Sequence, residues 1–234
     1  MIVQLQAPDN GRGEPDIEKR VAHAAEVMGL TVSRETMAKM LVFLDQLQKW
    51  NKTYNLTAIR NFNDMLVNHL FDCMAIISEL KRLSEGKAFV MLDVGSGAGL
   101  PGLIVASFFP QSKVICVDSV DKKVSFIRHA SAKMGCSNVS AVHARVESMT
   151  TVSADFVISR AFASLLLFVQ LANHHVRKQG YLLSMKAAQV KDDVSEFQAT
   201  PSDWQVKDIR DLVVPESRAQ RYLVVMQRKE HERD

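Results

Sequence analysis

Two carboxylates and a set of closely spaced glycines carry the densest chemistry in this chain. The run Phe89-Val-Met-Leu-Asp-Val-Gly-Ser-Gly-Ala-Gly-Leu-Pro-Gly102 ends an apolar stretch in Asp93, then places glycines at 95, 97, 99 and 102. Glycines at alternate positions let the backbone take positive φ and let a ligand approach the main chain where a Cβ would collide. The elements needed to present such a run are a strand, a tight turn and a helix start. The apolar residues before Asp93 and those at 103–109 supply the strand and the helix. A nucleotide-like ligand is therefore expected on this turn, with Gly95, Gly97 and Gly99 against it.

The ligand's class follows from the carboxylates. Gly97-Ala-Gly99-Leu-Pro-Gly102 also satisfies the dinucleotide spacing G-x-G-x-x-G, so spacing alone leaves NAD open. A pyrophosphate prefers bare amide donors at a helix N-terminus, and a carboxylate just before the first glycine works against it. The sulfonium and α-ammonium of S-adenosylmethionine are cations, which Asp93 suits electrostatically. A turn cap is the other role open to Asp93. Asp118 closes the next apolar run, 114–117, where a carboxylate can accept from both hydroxyls of an adenosine ribose. These residues favour the methyl donor, and the chain has no Tyr-x-x-x-Lys of the kind that serves hydride transfer.

At 234 residues, 47% hydrophobic and 24% charged, the chain has the make-up of a globular protein with room for one catalytic domain and an appendage. Residues 1–20 lack a basic stretch followed by an apolar one, and no apolar run reaches membrane-spanning length, so a cytoplasmic protein with no membrane partner is expected. Cys73, Cys116 and Cys136 are odd in number, far apart and without His at zinc-ligand spacing, which predicts reduced thiols and no metal. His174-His175 has no third ligand in view. A net charge of +3 allows a nucleic-acid partner without requiring one.

From Ile17 to about Leu83 the apolar residues recur at helical spacing, as in Val21, Ala24, Ala25 and Met28, then Met37, Met40, Leu41, Leu44 and Leu47. Gly29 should end the first helix, and Ser33 with Thr36 should cap the second. A third helix is predicted from near Asn63 through Leu66, Leu70, Cys73 and Ile77. After a linker at 83–87, strand candidates at 88–93, 113–118, 139–143, 155–159 and 180–186 alternate with helical stretches, which implies a parallel sheet covered on both faces. Segments 204–214 and 221–228 lack a helical crossover and should pair antiparallel at the sheet edge. The expected division is 1–85, a helical domain, and 86–234, the α/β domain. The closing residues 229–234 read as a solvated charged end. In such sheets ligands bind at the carboxyl ends of the strands, where Gly95, Asp118, Glu147 and Arg160 would gather.

With these elements placed, the motifs can be compared as a set. Trp50-Asn-Lys-Thr-Tyr-Asn-Leu-Thr-Ala-Ile-Arg60, His69-x-x-Asp72, the glycine loop, Val117-Asp-Ser119, Ala144-Arg-Val-Glu147 and Ile158-Ser-Arg-Ala-Phe-Ala-Ser-Leu165 closely resemble, in order, the glucose-inhibited division protein B family. These bacterial small-subunit rRNA methyltransferases, also called methyltransferase G, methylate guanine N7 in the 530 loop of 16S rRNA. The resemblance implies a Rossmann-like methyltransferase fold, a mostly parallel seven-stranded sheet with an antiparallel edge strand, behind a small helical domain. It implies S-adenosylmethionine as cofactor and 16S rRNA or the small ribosomal subunit as partner; a monomer is expected, though the sequence leaves oligomeric state open. It also puts Gly95 and Leu100 around the cofactor, Val146 and Glu147 beside its adenine, and Arg160 among the cofactor ligands. One departure concerns Lys186, a substrate-side candidate: the family commonly has glycine after this lysine, whereas this chain reads Met185-Lys-Ala-Ala188.

Methyl transfer is an in-line displacement, so the main demand is collinear placement. Guanine N7 has a lone pair and no proton, which explains why no general base is conspicuous. Ser159-Arg-Ala-Phe162 stands where exocyclic-amine methyltransferases resemble one another in carrying Asn or Asp, Pro-Pro and an aromatic, and no Pro-Cys nucleophile is present. Both absences favour a ring nitrogen. Lys52 and Arg60, beside Trp50 and ahead of His69, mix basic and aromatic character as an RNA-facing surface would. Trp50 and Leu56 serve equally well as docking residues between the two parts, His69 as a satisfied helix histidine, and Phe162 as core. A non-catalytic RNA-binding assembly factor is the rival from another class, and cofactor affinity discriminates it.

Overall fold

The computed structural model describes residues 16–160, 162, 164–188 and 190–229. The leaderless start expected at 1–20 lies mostly outside them, and the charged end expected at 229–234 almost entirely. Two helices open the described chain, α1 (Ile17–Val27) and α2 (Arg34–Tyr54). Ser33 caps α2 by accepting from the Thr36 amide at 3.0 Å, as its position predicts. The expected third helix is broken into α3 (Phe62–Met65), a π-helical stretch Leu66–Phe71, α4 (Asp72–Met74) and α5 (Ile77–Leu83). A π turn adds one residue per turn, which a 3.6-residue apolar pattern does not reveal.

Strands and helices then alternate: β1 (Val90–Val94), α6 (Gly102–Phe108), β2 (Lys113–Asp118), α7 (Asp121–Met134), β3 (Val139–His143), β4 (Ala154–Arg160), α8 (Leu165–Ala172), β5 (Val176–Lys186), α9 (Val190–Ala199), β6 (Trp204–Leu212) and β7 (Arg221–Arg228). They form one seven-stranded sheet in the order β3-β2-β1-β4-β5-β7-β6. The first five strands are parallel; β7 runs antiparallel to both β5 and β6. β7 thus inserts between β5 and β6, and β6 takes the edge.

Side-chain parity explains the layering. Met91, Val114, Cys116, Phe156, Ile158, Leu183, Leu223 and Val225 project to one face. Leu92, Val94, Ile115, Val117, Val157, Leu182, Val224 and Met226 project to the other, beneath α8 and α9. The first face carries α6 and α7, and the N-terminal helices continue the same apolar cluster through Val21, Phe43, Leu47, Leu70 and Leu80. The seam between α2 and α7 is aromatic: Trp50 meets Phe126 edge-on at 5.5 Å, and Phe43 lies 6.4 Å from the same ring. Trp50, half-buried on Phe126, and Leu56, buried in the same cluster, are therefore docking residues, and full burial of a side chain such as Leu56 contributes about 1.5–3 kcal/mol.

Candidate active site

The glycine loop leaves β1 at the carboxyl edge of the sheet and is pinned to its neighbour. Gly95 N and Ser96 N both donate to Val117 O, at 2.9 and 3.0 Å, and Gly97 N donates to Asp118 Oδ2 at 2.9 Å. Gly97 has φ +57°, and a Cβ there, as at Gly95, would meet no protein atom within 4 Å. The outer side of this turn is thus open backbone. The later glycines do different work. A Cβ on Gly102 would strike Cys116 Sγ and the Asp93 carboxylate, and one on Gly99 would strike Leu103. Gly102 lets α6 seat flush on β1 and β2, and Gly99 leaves room for Leu103 and Ile127. Leu100 is buried in the cluster beneath, so its side chain supports the loop from inside.

Asp93 requires a correction. It shares the face of Met91 and is wholly buried under the start of α6, where its Oδ2 accepts from Gly102 N at 2.8 Å. It caps the turn and does not face the open side of the loop. Burial pushes its pKa up to about 7, against the pull of the Gly102 amide and Arg160, with Asp118 adding to the rise. Parity along β1 would have disclosed this. Asp118 is buried at the end of β2, and its Oδ1 accepts from Val120 N at 2.9 Å while its Oδ2 holds Gly97. A carboxylate has about four lone-pair sites, so capacity for hydroxyl donors remains.

The segment after β3 stands alongside. Ala144 N donates to Asp118 O at 3.2 Å, and a short 3-10 turn, Val146–Ser148, buries Val146 and exposes Glu147. His175, fully buried, donates from Nε2 to Val146 O at 2.9 Å and accepts from Val152 N at 3.3 Å. It is a satisfied histidine that fixes this turn. Among the described residues no group of three His, Cys, Asp or Glu could hold a metal ion, and no helix is long and apolar enough to cross a membrane.

At the end of β4, Arg160 turns toward the π-helical stretch. Its Nη1 donates to Asn68 O at 3.1 Å and to Asp72 Oδ2 at 3.2 Å, and its guanidinium lies 3.4 Å from His69 Nδ1. Arg221, at the start of β7, donates from Nε to the other oxygen, Asp72 Oδ1, at 2.9 Å. His69 Nδ1 also lies 3.1 Å from Asn68 O, and its Nε2 lies 2.9 Å from Thr57 Oγ1. Burial first, and Arg160 second, depress the His69 pKa to about 4, with the Asn68 carbonyl opposing, so the ring is neutral. Asp72 and Arg221 were given no role from sequence. The His69-x-x-Asp72 pattern was a signal for the first; nothing local marks Arg221.

The Trp50–Arg60 motif is mostly a folding device. Buried Asn51 donates to Ile59 O at 2.9 Å and accepts from Thr57 N at 2.8 Å, which folds the segment back beneath α2. Lys122, four residues after Asp118, donates to Tyr54 O at 2.9 Å and ties the end of α2 to the start of α7. Lys52 and Arg60 are exposed here, Arg60 touching Asn55 Oδ1 at 3.3 Å. Lys186 is placed differently from expectation. Its Nζ pairs with Asp193 at 2.6 Å and donates to Phe162 O at 3.0 Å, so it braces the turn after β4 rather than facing outward. Phe162 packs on Phe168 at 5.4 Å. Ala161 and Ala163 of that motif lie outside the described residues.

An open groove of about 500 Å³ occurs at the opposite, amino edge, between Phe89, Asp155, Arg177 and Tyr181. Its charges neutralise each other, Arg177 pairing with Asp155 at 2.6 Å and Lys87 with Glu85 at 2.6 Å. The glycine turn and the buried Asp93 and Asp118 lie at the carboxyl edge.

Comparison with known proteins bears on that edge. The family model described as rRNA small subunit methyltransferase G matches residues 36–224. A ribosomal RNA small subunit methyltransferase G from Bordetella petrii is 42% identical over 221 residues, 94% of this chain and 86% of that protein. One from Psychrobacter cryohalolentis is 39% identical over 92% of this chain and 86% of its own length. Among solved structures, a SAM dependent methyltransferase from Aquifex aeolicus gives a TM-score of 0.52 over 78% of this chain and 97% of that one, at 17% identity. The ribosomal protein L11 methylase from Lactobacillus delbrueckii gives 0.51 over 68% and 77%, at 14% identity. At such identities the structural likeness speaks for the fold.

Proposed function

The chain belongs to the rRNA small subunit methyltransferase G family, and from that premise we propose that it transfers a methyl group from S-adenosylmethionine to N7 of a guanosine in the 530 loop of 16S rRNA. The observation that carries this reading is the open turn at Gly95 and Gly97 beside Asp118, lying inside the matched segment 36–224. Bare backbone with room for a ligand on one side, and a buried carboxylate at the next strand end, fit an adenosyl cofactor.

S-adenosylmethionine, when bound, supplies an electrophilic methyl group on a sulfonium. Gly95 and Gly97 would line it, Asp118 would accept from its ribose, Val146 and Glu147 would border its adenine, and Arg160 would stand beside its amino-acid end. Asp93, Gly99 and Leu100 act one layer beneath, by holding the loop's shape. Guanine N7 attacks with a lone pair and releases no proton, so the residues need only align acceptor and donor and exclude water. The neutral His69, tied to Arg160 and Thr57, is consistent with a site that moves no proton. Lys52 and Arg60 are the proposed first contacts to RNA, exposed at the end of α2 and the loop after it. The chain acts as a monomer in this reading.

The purified chain, methyl-labelled cofactor and small ribosomal subunits test the proposal. Label should be recovered as N7-methylguanosine from 16S rRNA. Label on an exocyclic amine, a ribose hydroxyl or a pyrimidine carbon would overturn the acceptor assignment. Tighter binding of NAD than of S-adenosylmethionine in calorimetry would overturn the cofactor.

A further inference from the structure

We propose that Arg160 and Arg221, held together by Asp72, form a two-pronged site for a phosphodiester of the RNA strand that carries the acceptor guanosine, with Asp72 as the positioning residue. The inference rests on the rRNA methyltransferase reading and deepens it. The two arginines stand at the same sheet edge on β4 and β7, with β5 between them, so their backbones are roughly 10 Å apart by ordinary strand spacing. Their side chains converge on one carboxylate: Arg160 Nη1 on Oδ2 at 3.2 Å and Arg221 Nε on Oδ1 at 2.9 Å.

Exposure and charge separate this cluster from a closed salt bridge. The Asp72 side chain is 6% exposed, whereas both arginine side chains are 23% exposed. The carboxylate is the underside and the guanidiniums form the outer surface. Two cations share the Asp72 carboxylate while His69 stays neutral, and buried Asp93, its pKa pushed up to about 7, offsets only part of the positive charge that remains. Each guanidinium has five N–H donors in a fixed fork, suited to paired phosphate oxygens. Lys186, on the intervening strand, is already neutralised by Asp193 at 2.6 Å and does not compete.

Position decides between the two anions available, an RNA phosphate and the carboxylate of the methyl donor. The glycine loop follows β1, and the adenosyl contacts extend from it toward β2 and β3. Arg221 lies on the other side, three strands from β1, about 14 Å away by strand spacing. Arg160, one strand from β1, keeps its place at the donor's amino-acid end, whereas an anion that reaches Arg221 as well is seated on the acceptor side.

Binding of 16S rRNA in small subunits, measured over a range of salt, tests this alongside calorimetry with S-adenosylmethionine. Arg221→Gln should weaken rRNA binding about tenfold and make the slope of log affinity against log salt less negative by roughly 0.7–0.9. Cofactor affinity should stay within about twofold. Arg221→Lys, which keeps the charge and loses the fork, should retain the slope and recover only part of the affinity. Asp72→Asn adds positive charge, so rRNA binding should hold or tighten while kcat falls about tenfold or more from misplacement, a split that a merely structural role would not produce. A folded Arg221→Gln protein with unchanged rRNA affinity and salt slope would overturn the site. Weaker cofactor binding with an unchanged rRNA slope would overturn it too, in favour of the donor's carboxylate. If the wild-type chain binds rRNA but methylates none, the proposed function fails while the phosphate site is still judged by the slope.

Discussion

The two halves of the carboxyl edge are built by different means. On the β1–β2–β3 side the surface is backbone: a turn of glycines stapled to Val117 and Asp118 by its own amides. Each contact there spans a few tens of residues along neighbouring βα units. On the β4–β5–β7 side the surface is made of long charged side chains meeting across the fold, Arg160 with Asp72 over 88 positions and Arg221 with Asp72 over 149. The first half is a rigid rim suited to one constant ligand. The second is an assembled charge cluster, whose geometry depends on how the N-terminal helices dock. On the proposed reading, the first half takes the methyl donor and the second the polyanionic substrate.

The largest expected effect separates the rim's ligand-facing glycines from its packing glycines. Gly97→Val should abolish S-adenosylmethionine binding, by about a hundredfold or more, because its side chain fills open space above the turn and strains a left-handed residue. Gly102→Ala should instead lower thermal stability, by about 1–3 kcal/mol of overpacking against Cys116 and Asp93. Calorimetry and thermal unfolding on both variants check this. Loss of folding in the first, or of binding alone in the second, would break the division.

Each half also hides one titratable group, and the two tilt stability in opposite directions. Asp93 has a folded pKa of about 7, well above the ordinary aspartate value of 3.8, so the folded state holds the extra proton in between, and stability falls as pH rises through that window. His69 has a folded pKa of about 4 against 6.5, so the unfolded state holds the extra proton, and stability rises with pH over that window. Between pH 4 and 6.5 the two slopes oppose. Asp93→Asn should make the unfolding free energy rise more steeply with pH than in the wild type, and His69→Gln should make it fall, each by on the order of a few kcal/mol across its window. Denaturant unfolding from pH 4 to 8 checks the signs.

The smallest effect concerns the exposed cations. Replacing Lys52 and Arg60 together by Ala should weaken rRNA binding severalfold and flatten its salt dependence, with cofactor binding unchanged. A fall in thermal stability with intact rRNA affinity would return both residues to a packing role.

The same contrast explains what was legible in the sequence. The glycine rim is local, so its strand, turn, helix start and Asp118 could be placed from spacing, and β2, β3 and β7 have the expected bounds. Asp93 was misassigned by reading its charge without its parity in β1. The arginine side resisted reading because nothing near Arg221 points to Asp72, and because the π-helical stretch carrying His69 leaves no mark in apolar periodicity. Lys186 differs: its partner Asp193 is only seven residues on, in the first turn of α9, but charge spacing alone does not show that the chain turns back there.

The central claim, that this edge joins an adenosyl donor to guanine N7 of small-subunit rRNA, is tested most directly by chemical strand scission at N7-methylguanosine in 16S rRNA from cells with and without the protein. One scission site in the 530 loop should disappear without it, return with the wild-type chain, and stay absent with Gly97→Val. An unchanged scission pattern in cells lacking the protein would contradict the account.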